Sequence, residues 1–179
     1  FQMLNVGQKF PAFSAPACVG SDEKSLTTVS NAKPNGKWTV YFFYPKDFTS
    51  GCTLEARNFQ RDLAKYEAVN AVILGVSVDT AESHKEFCAK EGLKFKLLAD
   101  TEAKTSAQYG SVMEYNGMKL SARNTFIIDP KGKIAKVFLK VGPAGHSDEV
   151  LAALAMLQAL GASLAAAELS PRSTRASHW

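Results

Sequence analysis

Cysteine is scarce in this chain: Cys18, Cys52 and Cys88 are the only three in 179 residues. That number is too small and odd for a disulfide framework, so thiols of a reducing compartment are expected, structural or catalytic. No C-x-x-C pair occurs, which argues against a dithiol oxidoreductase. Histidine is equally sparse, and His84, His146 and His178 show no ligand-like spacing with the cysteines, so no metal is expected. Neither a dinucleotide-binding nor a P-loop glycine pattern is present, so no cofactor is expected. Charge of one sign is lacking too: 21 Lys and Arg stand against 17 Asp and Glu, a net +4. Two of the arginines fall in the last ten residues, SPRSTRASHW, which hold no acid. Without a large basic field, nucleic acid is not an expected partner. No apolar run approaches the ~18 residues of a membrane helix, and the start shows no basic-then-apolar signal pattern. A cytoplasmic protein is expected. Phe1 and Gln2, ahead of Met3, read as a scar of cleavage or cloning; a removed presequence would leave no trace here.

What is present suits a packed globule, with 46% hydrophobic and 21% charged residues. Residues 38–45, WTVYFFYP, and 72–78, VILGVSV, are apolar on both faces, as buried strands are. Between them, 49–69 reads as a helix, with Leu54, Phe59, Leu63 and Tyr66 near helical spacing. Strand, helix, strand is the βαβ unit of a parallel pair. A helix over 81–91 ending at Gly92, a short strand near 95–98 and a helix near 102–109 follow. Runs 124–129 and 133–140 flank Pro130-Lys131-Gly132 and read as an antiparallel hairpin. A last helix starts at Ser147 or Asp148, and Leu151, Leu154, Leu157, Leu160 and Leu164 form a stripe expected to face the sheet. The fold class is α/β, one domain over 3–169, with 170–179 a disordered tail or cloning remainder.

Cys52 follows a buried strand and opens a helix, where reactive groups gather in open α/β sheets. Thr49 can cap that helix, which puts Cys52 in its first turn, where unpaired N–H groups favour an anion. A thiolate is the reactive form of cysteine. The helix terminus alone supplies only ~0.3–2 kcal/mol, so a fixed cation is needed as well. The alternative is that Cys52 is simply a small apolar core residue.

The flanking residues decide between these. Pro45-Lys46-Asp47-Phe48-Thr49-Ser50-Gly51-Cys52 resembles the P-x-x-x-T-x-x-C signature of the peroxiredoxins. Gly51-Cys52-Thr53-Leu54-Glu55-Ala56 is similar to the bacterioferritin-comigratory, or peroxiredoxin Q, branch. Ser83-His84-Lys85, Phe95 to Asp100 and Arg123 to Asp129 resemble the same branch in order, and the likeness spans about Val6 to Leu160. The resemblance implies a thioredoxin-like fold, with a central mixed β-sheet flanked by helices and an N-terminal extension. It implies reduction of hydrogen peroxide and organic hydroperoxides, with Cys52 as peroxidatic cysteine and Thr49, Arg123 and Pro45 supporting it. Arg123 is a permanent cation with a planar fork of donors. Thr49 can orient the peroxide, and Pro45 can shield the thiolate from water. Glu55 is either the residue that orients Arg123 or a plain helix-surface acid.

Attack on peroxide leaves a sulfenic acid, which a second thiol condenses into a disulfide. In many relatives of this branch that thiol lies one helix turn on, at the place where this chain has Arg57. Another arrangement in the branch puts it on the next helix, and Cys88 in Ser83-His84-Lys85-Glu86-Phe87-Cys88 matches, so the resemblance implies Cys88 as resolving thiol. Because a disulfide needs Cα atoms within about 7 Å, the first turn around Cys52 is expected to unwind on oxidation. His84 is read as a surface polar residue and Cys18 as structural. The implied electron donor is a thioredoxin-like protein, and the implied state a monomer, with pairing through the Leu-rich helix at 150–164 as the alternative. Rival readings are a one-cysteine peroxidase resolved by an outside thiol, and a peroxide sensor that passes oxidation to a partner.

Overall fold

In a computed structural model of the chain, the described residues are 4–18, 27–30 and 36–169, with side chains left aside for 18, 27–30 and 163–169. Nine strands and five helices follow in the order β1 Ser14–Cys18, β2 Thr27–Ser30, β3 Trp38–Phe43, α1 Ser50–Arg61, α2 Leu63–Ala68, β4 Ala71–Ser77, α3 Ala81–Glu91, β5 Lys96–Ala99, α4 Lys104–Gln108, β6 Val112–Tyr115, β7 Met118–Ser121, β8 Thr125–Ile128, β9 Ile134–Phe138 and α5 His146–Leu169. The main sheet runs β2-β1-β5-β4-β3-β8-β9. β3, β4 and β5 are parallel, whereas β8 is antiparallel to β3, and β1 to β5. This is the mixed sheet of the thioredoxin-like class. Among the described residues no helix is long and apolar enough to cross a membrane.

β3 is central and covered on both faces, which explains its unbroken apolar run. Val40, Phe42 and Tyr44 point into a cluster with α1, α2, α3 and α5, where Cys52 and Cys88 also lie. Tyr41 and Phe43 point the other way, into a cluster closed by Phe10, Phe13 and Tyr109. Phe10 stacks on Tyr109 at 4.0 Å and on Tyr41 at 4.7 Å, so the N-terminal segment seals the face away from the thiols. β4 passes its neighbours closely at Gly75, where a Cβ would stand 2.6 Å from Leu97 Cδ2 and 2.9 Å from Phe42 Cζ. Gly75→Ala is therefore expected to destabilise the fold by about 1–3 kcal/mol through overpacking, read as a lower denaturant midpoint at unchanged slope.

Several expectations need correction. The helix expected over 49–69 is two helices, broken at Asp62 (φ −97°, ψ 6°). The buried Asp62 carboxylate accepts from the Ser147 hydroxyl at 2.9 Å and from the Arg61 guanidinium at 2.7 Å. α5 starts at His146, and its apolar stripe faces the sheet only in part. Val150 and Leu154 are buried and Leu151 and Leu157 half-buried, but Leu160 is exposed because the helix there outruns its packing partners. The Leu164 side chain, Phe1, Gln2 and the 170–179 tail lie outside what is described. The β6–β7 hairpin was not expected, although it turns at Asn116-Gly117, both at positive φ. Most of its side chains are exposed, so no apolar alternation marks it.

Candidate active site

The chain leaves β3 at Phe43 and crosses six residues to α1. Pro45 sits half-buried at the strand exit. Thr49 is the N-cap in extended geometry (φ −83°, ψ 153°), and its carbonyl accepts from Thr53 N–H at 2.9 Å. The expected side-chain cap is not made. The Thr49 hydroxyl donates back to the Lys46 carbonyl at 2.9 Å instead, bracing the loop, and the residue is exposed. Cys52 falls in the first turn of α1, 1% exposed and part of the apolar cluster.

Arg123 arrives from the neighbouring strand, in the turn between β7 and β8 just ahead of Thr125, which pairs with Phe42 near the end of β3. Its backbone is pinned, with its carbonyl accepting from Val141 N–H at 2.9 Å. Its neighbour Asn124 is buried, accepting from Phe43 N–H at 2.8 Å and donating to Ser111 Oγ at 2.9 Å. The fork then spans one face of α1: Nη2 donates to Cys52 Sγ at 3.3 Å and Nη1 to Glu55 Oε1 at 3.0 Å. Residues three apart share a helix face, so one guanidinium reaches both. Gly51 leaves room for the approach: a Cβ there would lie a tight 3.3 Å from Nη2 and 3.5 Å from Pro143 Cγ.

Glu55 is thus no surface acid; it is fully buried and fixes Arg123. Its Oε2 is buried without a hydrogen-bond partner among the described residues. Burial pushes its carboxyl from the ordinary 4.5 up to about 7, against the opposing pull of Arg123. The folded protein then holds this proton to higher pH than the unfolded chain does. Stability from this group is greatest below pH 4.5 and is lost as pH climbs to about 7, a fall of about 3 kcal/mol. Glu55→Gln keeps a partner for Arg123 and cannot titrate. Denaturant unfolding at a series of pH values should show the slope between pH 4.5 and 7 flattened in this variant.

A second polar cluster, which sequence reasoning missed, lies beside the loop. Asp47 is buried and accepts from Tyr44 OH at 2.6 Å and Ser83 Oγ at 2.9 Å, and pairs with His84 Nδ1 at 2.7 Å. Its N–H donates to Asp79 Oδ2 at 2.8 Å. His84 is fully buried, with Nε2 at 2.9 Å from the Leu98 carbonyl, so the surface reading of His84 is corrected. Burial works against its charged form, but the hydrogen bond and charge of Asp47 raise it above the usual histidine value overall. Asp47, Asp79 and His84 place ligand-type atoms within 4.8 Å of one another. Both Asp47 oxygens already accept hydrogen bonds, so the set reads as a brace between the loop and α3. The signals for it were Asp47 in the loop motif and the Ser83-His84 pair, with no periodicity to join them.

Cys88 lies on the buried side of α3, 1% exposed, in the same apolar cluster as Cys52. No disulfide joins the two. The Cys18 side chain lies outside the described set; its backbone, at the end of β1, pairs with Leu97 of β5.

Comparison with known proteins places this geometry. Residues 6–137 match the AhpC/TSA family. The peroxiredoxin Bcp of Xanthomonas campestris is 42% identical over 123 residues, covering 66% of this chain and 77% of that protein. The peroxiredoxin Bcp of Bacillus subtilis is 35% identical over 158 residues, covering 84% and 95%. A crystal structure of Xylella fastidiosa PrxQ, in a cysteine-to-serine variant, superposes with a TM-score of 0.79 at 30% identity, covering 88% of this chain and 99% of that one. The chain belongs to the AhpC/TSA family, as a peroxiredoxin and hence a thiol-dependent peroxidase.

Proposed function

We propose that Cys52 is the sulfur that takes oxygen from hydrogen peroxide and organic hydroperoxides, and that Cys88 resolves it. The observation that carries this reading is the 3.3 Å hydrogen bond from Arg123 Nη2 to Cys52 Sγ at a helix N-terminus. The guanidinium and the helix N-terminus both bring positive charge to the reacting sulfur. The thiolate attacks the nearer peroxide oxygen; an S–O bond forms, the O–O bond breaks, and the departing oxygen takes a proton to leave as water or alcohol. Charge grows on that oxygen, so donors aimed at it carry much of the acceleration. Arg123 supplies them, Glu55 holds its plane, Thr49 orients the peroxide and Pro45 limits water.

Cys88 then attacks the Cys52 sulfur; an S–S bond forms, the S–O bond breaks and water leaves. A thioredoxin-like dithiol reduces that bond and is itself oxidised. Non-reducing peptide mapping and intact mass after one equivalent of peroxide test this sequence. A Cys52–Cys88 crosslink is expected. Sulfinic acid building up at Cys52 with Cys88 still a thiol would point to resolution by an outside thiol instead.

A further inference from the structure

We propose that Phe48 is a positioning residue: its ring, docked on α3, holds the loop ahead of Cys52 closed under backbone strain, and its release lets Cys52 reach Cys88. The inference rests on the reading of Cys88 as the resolving thiol.

Phe48 lies in the loop just ahead of the α1 N-cap, with φ at 65°. This left-handed conformation is disfavoured for a residue with a bulky side chain, and persists only where surrounding contacts impose it. Those contacts come from α3. The Phe48 ring meets Phe87, the residue before Cys88, at 5.3 Å between centroids and a 66° tilt. The Lys90 ammonium lies 5.7 Å over the same ring. Just upstream, Asp47 is anchored by Ser83 and His84. The chain is therefore fixed up to Asp47 and strained at the next residue, which makes Phe48 the pivot. Phe48 is 45% exposed and Phe87 beneath it fully buried, so the dock lies at the edge of the core. Beside it a groove opens between α1 and α3, lined by Leu54, Thr53, Arg57 and Glu91. The Arg57–Glu91 ion pair spans the groove further along α1, so on the α3 side the contact nearest the start of α1 is that of Phe48 with Phe87, while Arg123 holds Cys52 from the other side.

Once Cys52 is a sulfenic acid, two reactions compete for it. A second peroxide can oxidise it to sulfinic acid, being reduced to water or alcohol, while the loop stays closed. Alternatively Cys88 attacks the Cys52 sulfur with loss of water, which needs the first turn undone because folded helix positions stand too far apart for a disulfide. The frequency of Phe48 release sets the partition between them.

The test measures the peroxide dose at which sulfinic acid and disulfide form in equal amounts, by quenched intact mass. Phe48→Ala removes the dock and keeps most of the backbone strain. It is expected to raise that dose on the order of tenfold, with the first oxidation step near its wild-type rate. Phe48→Gly removes the strain as well, so its dose should fall between the two. An unchanged dose in Phe48→Ala, with only a lower thermal midpoint, would reduce Phe48 to a packing residue and overturn the proposal. A dose in Phe48→Gly equal to that of Phe48→Ala would overturn the role of strain. Absence of any disulfide in the wild-type protein would instead overturn the reading of Cys88, which separates the two failures.

Discussion

Arg123→Met should slow the first oxidation of Cys52 by roughly 10²–10³-fold, the cost of losing one preorganised donor at a site of developing charge. Methionine fills much of the same volume but donates nothing, so the hydrogen bond to Cys52 Sγ and the one to Glu55 Oε1 vanish together. Glu55 loses the one hydrogen-bond partner it has among the described residues while still buried, and without the opposing pull of Arg123 its carboxyl is pushed further up. The fold should therefore survive, and circular dichroism of the variant should match the wild type. Arg123→Lys should recover only part of the rate. An ammonium is a point charge, whereas the guanidinium spans two acceptors on α1 at once. Stopped-flow measurement of a single turnover, with Cys88 replaced by serine in every protein, isolates this step from resolution.

The second large effect separates the two thiols. With a thioredoxin system as reductant, Cys88→Ser should drop steady-state peroxide consumption to the uncatalysed background, while the single oxidation of Cys52 keeps its full rate. Cys52→Ser should abolish both. The asymmetry follows from placement. Cys52 carries the Arg123 contact and the helix N-terminus, whereas Cys88 lies well along α3, with the Gly92 left-handed cap closing the helix just beyond it. Turnover that persists unchanged in Cys88→Ser would assign resolution to an outside thiol.

The parts of this molecule that sequence made legible are those whose physics is local. β3 and β4 announce themselves because both faces are buried, and α3 because Gly92, at φ 66°, ends it. What escaped depends on contacts between distant segments. The sequence alone leaves Glu55 either a helix-surface acid or the residue that orients Arg123, and only the contact with Arg123, 68 residues on, decides it. His84 sits among Ser83, Lys85 and Glu86, which suggests an exposed face. Asp47, 37 residues upstream, and the Leu98 carbonyl, 14 residues on, make its burial tolerable. The pairing of Cys52 with Arg123 was legible through family resemblance alone, since no spacing rule joins residues 71 apart. The strained backbone at Phe48 had no local signal, because a phenylalanine gives no hint of positive φ. Asp62 ended α1 for a similar reason: its partner Ser147 belongs to α5.

All of this stands on one sulfur. The most direct test exposes Cys88→Ser protein to one equivalent of hydrogen peroxide in the presence of a sulfenic-acid-specific carbon nucleophile, and then maps the labelled peptide. The adduct is predicted on Cys52, and it should become scarce when Arg123→Met is added. An adduct on Cys18, or no adduct while peroxide is still consumed, would contradict the account.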